Sequence, residues 1–221
     1  MTRRWALAGA LLLALAGCGG EEQASGEAPA TTVEATAGGC RQVQEPLPEP
    51  EGTEQRPTKI LSPNKTYRVV VRTNCGDFTI TLAPKLAPQT TASFLELAKN
   101  DFYDQTFFHR IVPGFVIQGG DPTATGGGGP GYSTVDEPPS STRYSNGVVA
   151  MAKGGDEPPG TSGSQFFIVT AKDARLPPEY AVIGRVTDGA QAVARIGKLG
   201  DPATEFPTQL VLVEDMIVKV S

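Results

Sequence analysis

From Tyr67 to Val220 glycine and proline cut the chain into short β-rich runs, and this punctuation constrains the fold more than any other feature. YRVVVRT and FTITL flank the turn residues Asn74-Cys75-Gly76-Asp77. FFHRIV, GFVIQGG, GVVAMAK, SQFFIVT, YAVIGRV and QLVLVEDMIVKV follow. Val, Ile, Phe, Tyr and Thr fit a pleated strand, and Asn, Gly and Asp supply hairpin turn chemistry. Phe78, Ile80 and Leu82 alternate with Thr79 and Thr81, the period of a half-buried strand. Two segments break this rhythm. In APQTTASFLELAKNDFY, Pro88 suits a first helical turn, and Ala92, Leu95, Ala98 and Phe102 recur at helical spacing. DGAQAVARIGKL reads as a second, shorter helix. The 26 Gly and 19 Pro argue against a helical bundle. Short strands with two helices predict a mainly β, closed antiparallel barrel rather than βαβ units.

Before Tyr67 the composition changes. MTRRWALAGALLLALAGC has a basic start and an apolar core short for a membrane span. It ends in Leu15-Ala16-Gly17-Cys18, which resembles the bacterial lipobox, where the peptide is cut before a cysteine that becomes lipidated. The competing reading is an ordinary secretory signal with an incidental cysteine. On the lipobox reading residues 1–17 are a signal peptide. The mature chain then starts at Cys18, exported and lipid-anchored to the outer face of the bacterial cytoplasmic membrane. Residues 18–62 are rich in Gly, Pro, Ala and Glu, cannot bury a core, and are expected to form a disordered tether. Residues 63–221 form the folded domain. Cys40 and Cys75 remain as a disulfide candidate, against two free thiols.

Charge narrows the function. Residues 19–60 hold eight acids against three bases, and residues 61–221 hold sixteen against fourteen. No stretch has the basic stripe of a nucleic-acid binder. A single histidine and three cysteines leave a metal site short of ligands. GTSGS is not a nucleophile elbow, and one histidine leaves a serine triad little to choose from. GGGGPG, Gly126 to Gly131, lacks the Gly-Lys-Ser/Thr of a phosphate cradle and reads as a loop.

Two motifs carry chemistry. In FFHRIVPGFVIQGGDP, strand alternation sends His109 and Arg110 to opposite faces. The Pro113-Gly114 turn then brings Arg110 beside Gln118 on the outer surface, near Phe115. Val116 shares that face. His109 is expected in the core, neutral and hydrogen-bonded. In GTSGSQFFIVT, Gln165 and Phe167 share one face, and Phe166 and Ile168 the other. Phe107, Phe108 and Phe166 are read as core.

FHRIVPGFVIQGGDP together with GTSGSQFFIVT resembles the cyclophilin family of peptidyl-prolyl cis-trans isomerases. FYDQTFFHRI, GVVAMAKGG and YAVIGRV extend the similarity over Tyr67 to Val220. The resemblance implies an eight-stranded closed antiparallel barrel capped by two helices, with its groove on the outside. It places the catalytic roles on Arg110, Phe115 and Gln118. Substrate contacts fall on Val116, Ala152, Lys153, Gly154, Gln165, Phe167, Leu176 and Tyr180. Val116 stands where many relatives have methionine, and Lys153 where asparagine is common. Arg175 and Tyr180 depart from the pattern of cyclosporin-sensitive members. The resemblance implies no cofactor and no metal. Its partners are proline-containing peptides and unfolded or exported proteins, and the expected state is a monomer. The alternative is a non-catalytic cyclophilin-like binding or chaperone module.

Overall fold

The structure, a computed structural model, describes residues 39–221. The expected signal peptide, Cys18 and the first half of the expected tether lie outside these residues.

Ten strands and two helices follow Tyr67. They are β1 (Tyr67–Thr73), β2 (Phe78–Leu82), α1 (Pro88–Lys99), β3 (Arg110–Val112), β4 (Val116–Gly119) and β5 (Thr134–Val135). Then come β6 (Val148–Met151), β7 (Thr161–Ser162), β8 (Phe166–Val169), β9 (Val182–Asp188), α2 (Ala190–Ile196) and β10 (Val213–Val220). Eight strands form one antiparallel sheet in the order β10-β1-β2-β9-β6-β8-β4-β3, and β5 pairs with β7 in a small separate sheet. The β1–β2 hairpin turns at Asn74 to Asp77, where Gly76 takes φ 105, a conformation with little penalty for glycine.

The expected closed barrel is corrected: the sheet is strongly curled but open. β3 and β10 are its two edges and form no ladder with each other. One bridge, Phe107 to Leu212, joins the rims. The cause is local. β3 is only three residues long and stops at Pro113, which has no N–H to donate. Its free edge is covered by the turn between Gly200 and Pro207, and the Ile111 N–H donates to the Glu205 carbonyl at 2.8 Å.

Helix α1 ends sooner than its apolar spacing predicts. Asp101 adopts φ 57, so Phe102 lies beyond the helix and stacks edge-on to Tyr103 at 5.4 Å. Alternation along the strands separates two apolar layers. Phe78, Ile80, Phe108, Ile111, Ile117, Val149, Met151, Phe166, Ile168 and Ile183 point inward and meet Phe94, Leu95 and Leu97 of α1. Phe166 is the hub, edge-on to Phe94 at 5.5 Å, Tyr103 at 5.8 Å and Phe108 at 5.9 Å. Each such side chain contributes roughly 1.5–3 kcal/mol by burial. Phe107, read as core, is only half-buried, because it sits where the two rims meet.

Residues 42–62 form neither helix nor strand. They are nonetheless laid along the domain as a strap. The N–H groups of Glu49, Gly52 and Glu54 each donate at 2.9 Å, to the carbonyls of Pro122, Gly129 and Pro130. At its start Cys40 is fully buried and bonded to Cys75, with S–S 2.09 Å.

Candidate active site

The second apolar layer lies on the outside of the curl. Val116, Tyr144, Val148, Ala150, Phe167 and Val169 are buried there, with Phe115, Ala152, Leu176, Tyr180 and Val182 half-buried around them. These residues interleave with the inner set along β4, β6 and β8, so period-two alternation builds both faces. The hollow they form is lined by aromatic and aliphatic groups.

Polar groups rise beside it in register. Arg110 on β3 stands directly opposite Gln118 on β4, and Gln118 stands opposite Phe167 on β8. Arg110 Nη1 donates to Gln118 Oε1 at 3.5 Å, and Gln118 Nε2 donates to Gln165 Oε1 at 3.0 Å. Gln165 Nε2 donates in turn to the carbonyls of Gly126 and Gly128, both at 3.0 Å. This chain orients the three side chains before any ligand arrives. The guanidinium has a second support: Arg110 Nε donates to Glu205 Oε2 at 2.6 Å, and the two form an ion pair.

The remaining expected residues border the same hollow. Phe115 closes the β3–β4 turn, and its carbonyl accepts from the N–H groups of Thr170 at 2.9 Å and Ala171 at 3.1 Å. Tyr180 packs edge-on to Phe167 at 5.4 Å and exchanges hydrogen bonds with the Tyr144 hydroxyl. Arg175 is exposed and takes φ 52, so the chain turns sharply just before Leu176 enters the apolar layer. Beyond β6 the Ala152 N–H donates to the Gln165 carbonyl and the Gly154 N–H to the Glu157 carboxylate. The Lys153 N–H and the Ala152 and Lys153 carbonyls have no partner among the described residues. The Lys153 ammonium is turned away, to Glu179 at 3.2 Å and to the carbonyls of Gly154 and Glu157.

His109 faces away from the groove, but its expected hydrogen bond is corrected at one nitrogen. Nδ1 is buried with no partner among the described residues. Burial lowers the imidazole pKa from 6.5; Asp121 opposes that shift and Arg110 adds to it. Asp121 itself is buried, which raises its carboxyl, yet hydrogen bonds from Thr123, Gly128 and Gly126 outweigh this and hold it below 3.8. The carboxylate thereby ties down the glycine-rich loop beside Gln165. Among the described residues no cluster of three His, Cys, Asp or Glu side chains could hold a metal.

A separate apolar cavity of about 520 Å³, lined by Leu82, Leu86, Val148 and Val182 with Arg143 and Arg185, shares two residues with the outer apolar layer but contains none of Arg110, Gln118 and Gln165. Glu205 was not foreseen, and nor was the acceptance of the Gln165 amide by the Gly126 and Gly128 carbonyls of the glycine-rich loop. Both lie in loops whose sequence shows no periodicity.

A curled antiparallel sheet thus carries a guanidinium and an amide in register over an apolar hollow. Residues 68–218 match the family described as cyclophilin type peptidyl-prolyl cis-trans isomerase. The chain belongs to that family, and it is an enzyme that interconverts cis and trans X–Pro bonds. It is 37% identical over 175 residues to peptidyl-prolyl cis-trans isomerase A of Mycobacterium tuberculosis, covering 71% of this chain and 94% of that one. With peptidyl-prolyl cis-trans isomerase B of Streptomyces anulatus the identity is 36% over 168 residues, covering 67% and 94%. The crystal structure of a Cryptosporidium parvum cyclophilin-type isomerase superposes with a TM-score of 0.64 at 31% identity, over 70% of this chain and 98% of that one. The same protein in the presence of the dipeptide Ala-Pro gives a TM-score of 0.63.

Proposed function

We propose that Arg110 accelerates the isomerisation by stabilising the twisted X–Pro amide, with no covalent step. Amide resonance sets a barrier of roughly 18–20 kcal/mol, and uncatalysed exchange takes tens of seconds or more. Bringing that to milliseconds needs about 10⁴-fold, or about 5.4 kcal/mol. In the twisted state the proline nitrogen becomes pyramidal and regains a lone pair. A guanidinium aimed at it favours that state over either planar isomer. Phe115, Val116, Phe167, Leu176 and Tyr180 grip the proline ring and exclude water, which favours the planar amide. Gln118 and Gln165, with the backbone at Ala152, Lys153 and Gly154, hold the flanking peptide while one side rotates.

The observation that carries this reading is the facing of Arg110 and Gln118 above the outer apolar layer. Isomerisation of a proline tetrapeptide, followed with the purified protein, tests it. Arg110→Ala should lower kcat/KM by about a hundredfold. A variant as fast as wild type would overturn the assignment.

We further propose that residues 1–17 are removed and that Cys18 carries the lipid. The domain from residue 63 then works on unfolded, exported chains at the outer face of a bacterial cytoplasmic membrane. The basic-apolar-Leu-Ala-Gly-Cys start supports this. So does a disulfide, which persists in oxidising compartments. Cys18→Ala should move the protein from the membrane fraction to the soluble fraction; unchanged partitioning would refute the anchor.

A further inference from the structure

The strap does more than cover the domain. It walls a cavity of about 600 Å³ that also has Gln118, Gln165, Ala152 and Gly154 on its lining, so the cavity opens onto the proposed peptide groove. Glu51 is the strap's contribution to that lining. Its neighbour Gly52 fixes it in place: a Cβ there would sit 2.8 Å from the Gly129 carbonyl and 2.9 Å from Pro130 Cα. Gly131 approaches the Gly52 carbonyl just as closely from the other side, a Cβ there falling 2.4 Å from it. Only glycines allow two backbones to meet this tightly.

Three charged residues line the cavity: Glu51, Glu157 and Lys153. The Lys153 side chain is 5% exposed and its ammonium is paired with Glu179, which is not on the cavity lining. The Glu51 carboxylate has no hydrogen bond or ion pair among the described residues. The Gly126 and Gly128 carbonyls, on the same lining, add negative dipole ends. A cation entering beside a bound peptide would meet an unmatched carboxylate and acceptor oxygens.

We infer that Glu51 is a specificity-determining residue, making the enzyme select proline peptides that carry lysine or arginine close to the X–Pro bond. This rests on the groove assignment above. The test compares a neutral proline peptide with versions bearing one lysine at each of the three positions on either side of the X–Pro bond. Both kcat/KM and binding, by NMR titration, are followed at low salt. At least one lysine position should be favoured roughly two- to fivefold over neutral, and the preference should fade at high salt. Glu51→Gln should remove most of that preference. Glu45→Gln, the same charge change elsewhere on the strap, should keep it. A wild-type preference of one at every position, or one that Glu51→Gln leaves intact, overturns the inference. Failure of the groove reading shows differently, as full turnover by Arg110→Ala. Binding of the peptide series still reads the preference in that case.

Discussion

At the scale of single residues, Arg110 is held by a partner that no local pattern could reveal. Its match with Gln118 was legible because a strand has period two and a Pro-Gly turn reverses it. Glu205 lies 95 residues along the chain from Arg110, in a turn with no periodicity, yet it holds the guanidinium at 2.6 Å. Glu205→Gln should therefore lower kcat by roughly fivefold, about 1 kcal/mol of lost orientation, with little change in KM. Glu205→Asp should restore part of the rate, and a purely structural role would move neither value selectively. His109 acts on stability instead. Its folded pKa lies below its unfolded value of 6.5, mainly through burial. Between the two values the unfolded chain binds more protons, so stability rises with pH in that window. It is fully present above about 6.5 and is lost as pH falls through the lowered value. Thermal unfolding at pH 7 and pH 5 should show this loss in wild type and a smaller one in His109→Gln. Equal losses in the two proteins would exclude the imidazole as its source.

At the scale of elements, strands and helices were legible where apolar residues recur with a clear period, and the failures have physical causes. The barrel does not close because β3 is three residues long and its edge is already taken. Sequence alternation identifies strands but says nothing of which edges meet. The helix over Pro88–Lys99 stops before Phe102 because Asp101 adopts a left-handed φ, which side-chain spacing does not report. The turn that caps β3 also carries Glu205, so fold and site are coupled through it. A Cβ on Gly200 would lie 2.0 Å from the Ile111 carbonyl oxygen, a backbone atom that cannot yield without moving β3. Gly200→Ala should cost about 1–3 kcal/mol of stability and also lower the isomerase rate. Glu205→Gln should lower the rate while leaving the unfolding midpoint in place. Thermal denaturation and turnover of the two variants separate the effects; a Gly200→Ala protein with native stability would contradict the close packing.

At the scale of the whole molecule, the chain before Tyr67 connects the proposed anchor to the groove. Residues 42–62 form neither helix nor strand, because too few large apolar residues are present to bury. Composition could not announce that this backbone hydrogen-bonds to the loop at Pro122 to Pro130, since the donors are main-chain groups common to every residue. The strap is tied at one end by Cys40–Cys75 and at the other by its continuation into β1. Closing a 35-residue separation stabilises the fold by roughly 3–4 kcal/mol in the chain-entropy model. Once the bond is cut, three backbone hydrogen bonds of about 1 kcal/mol each hold the strap beside Glu51, with further anchors at Arg41 (to Asn74 and Glu214) and Arg56 (to Gln89). Reduction should therefore have two separable effects. The unfolding midpoint should fall, and the preference for lysine-bearing peptides should weaken, while turnover of a neutral peptide persists because Arg110, Gln118 and the apolar hollow lie in the sheet. Cys40→Ser/Cys75→Ser should reproduce both effects without a reductant. If this variant kept the full lysine preference, the hydrogen bonds and ion pair along the strap would suffice to seat it, and the disulfide would serve stability only.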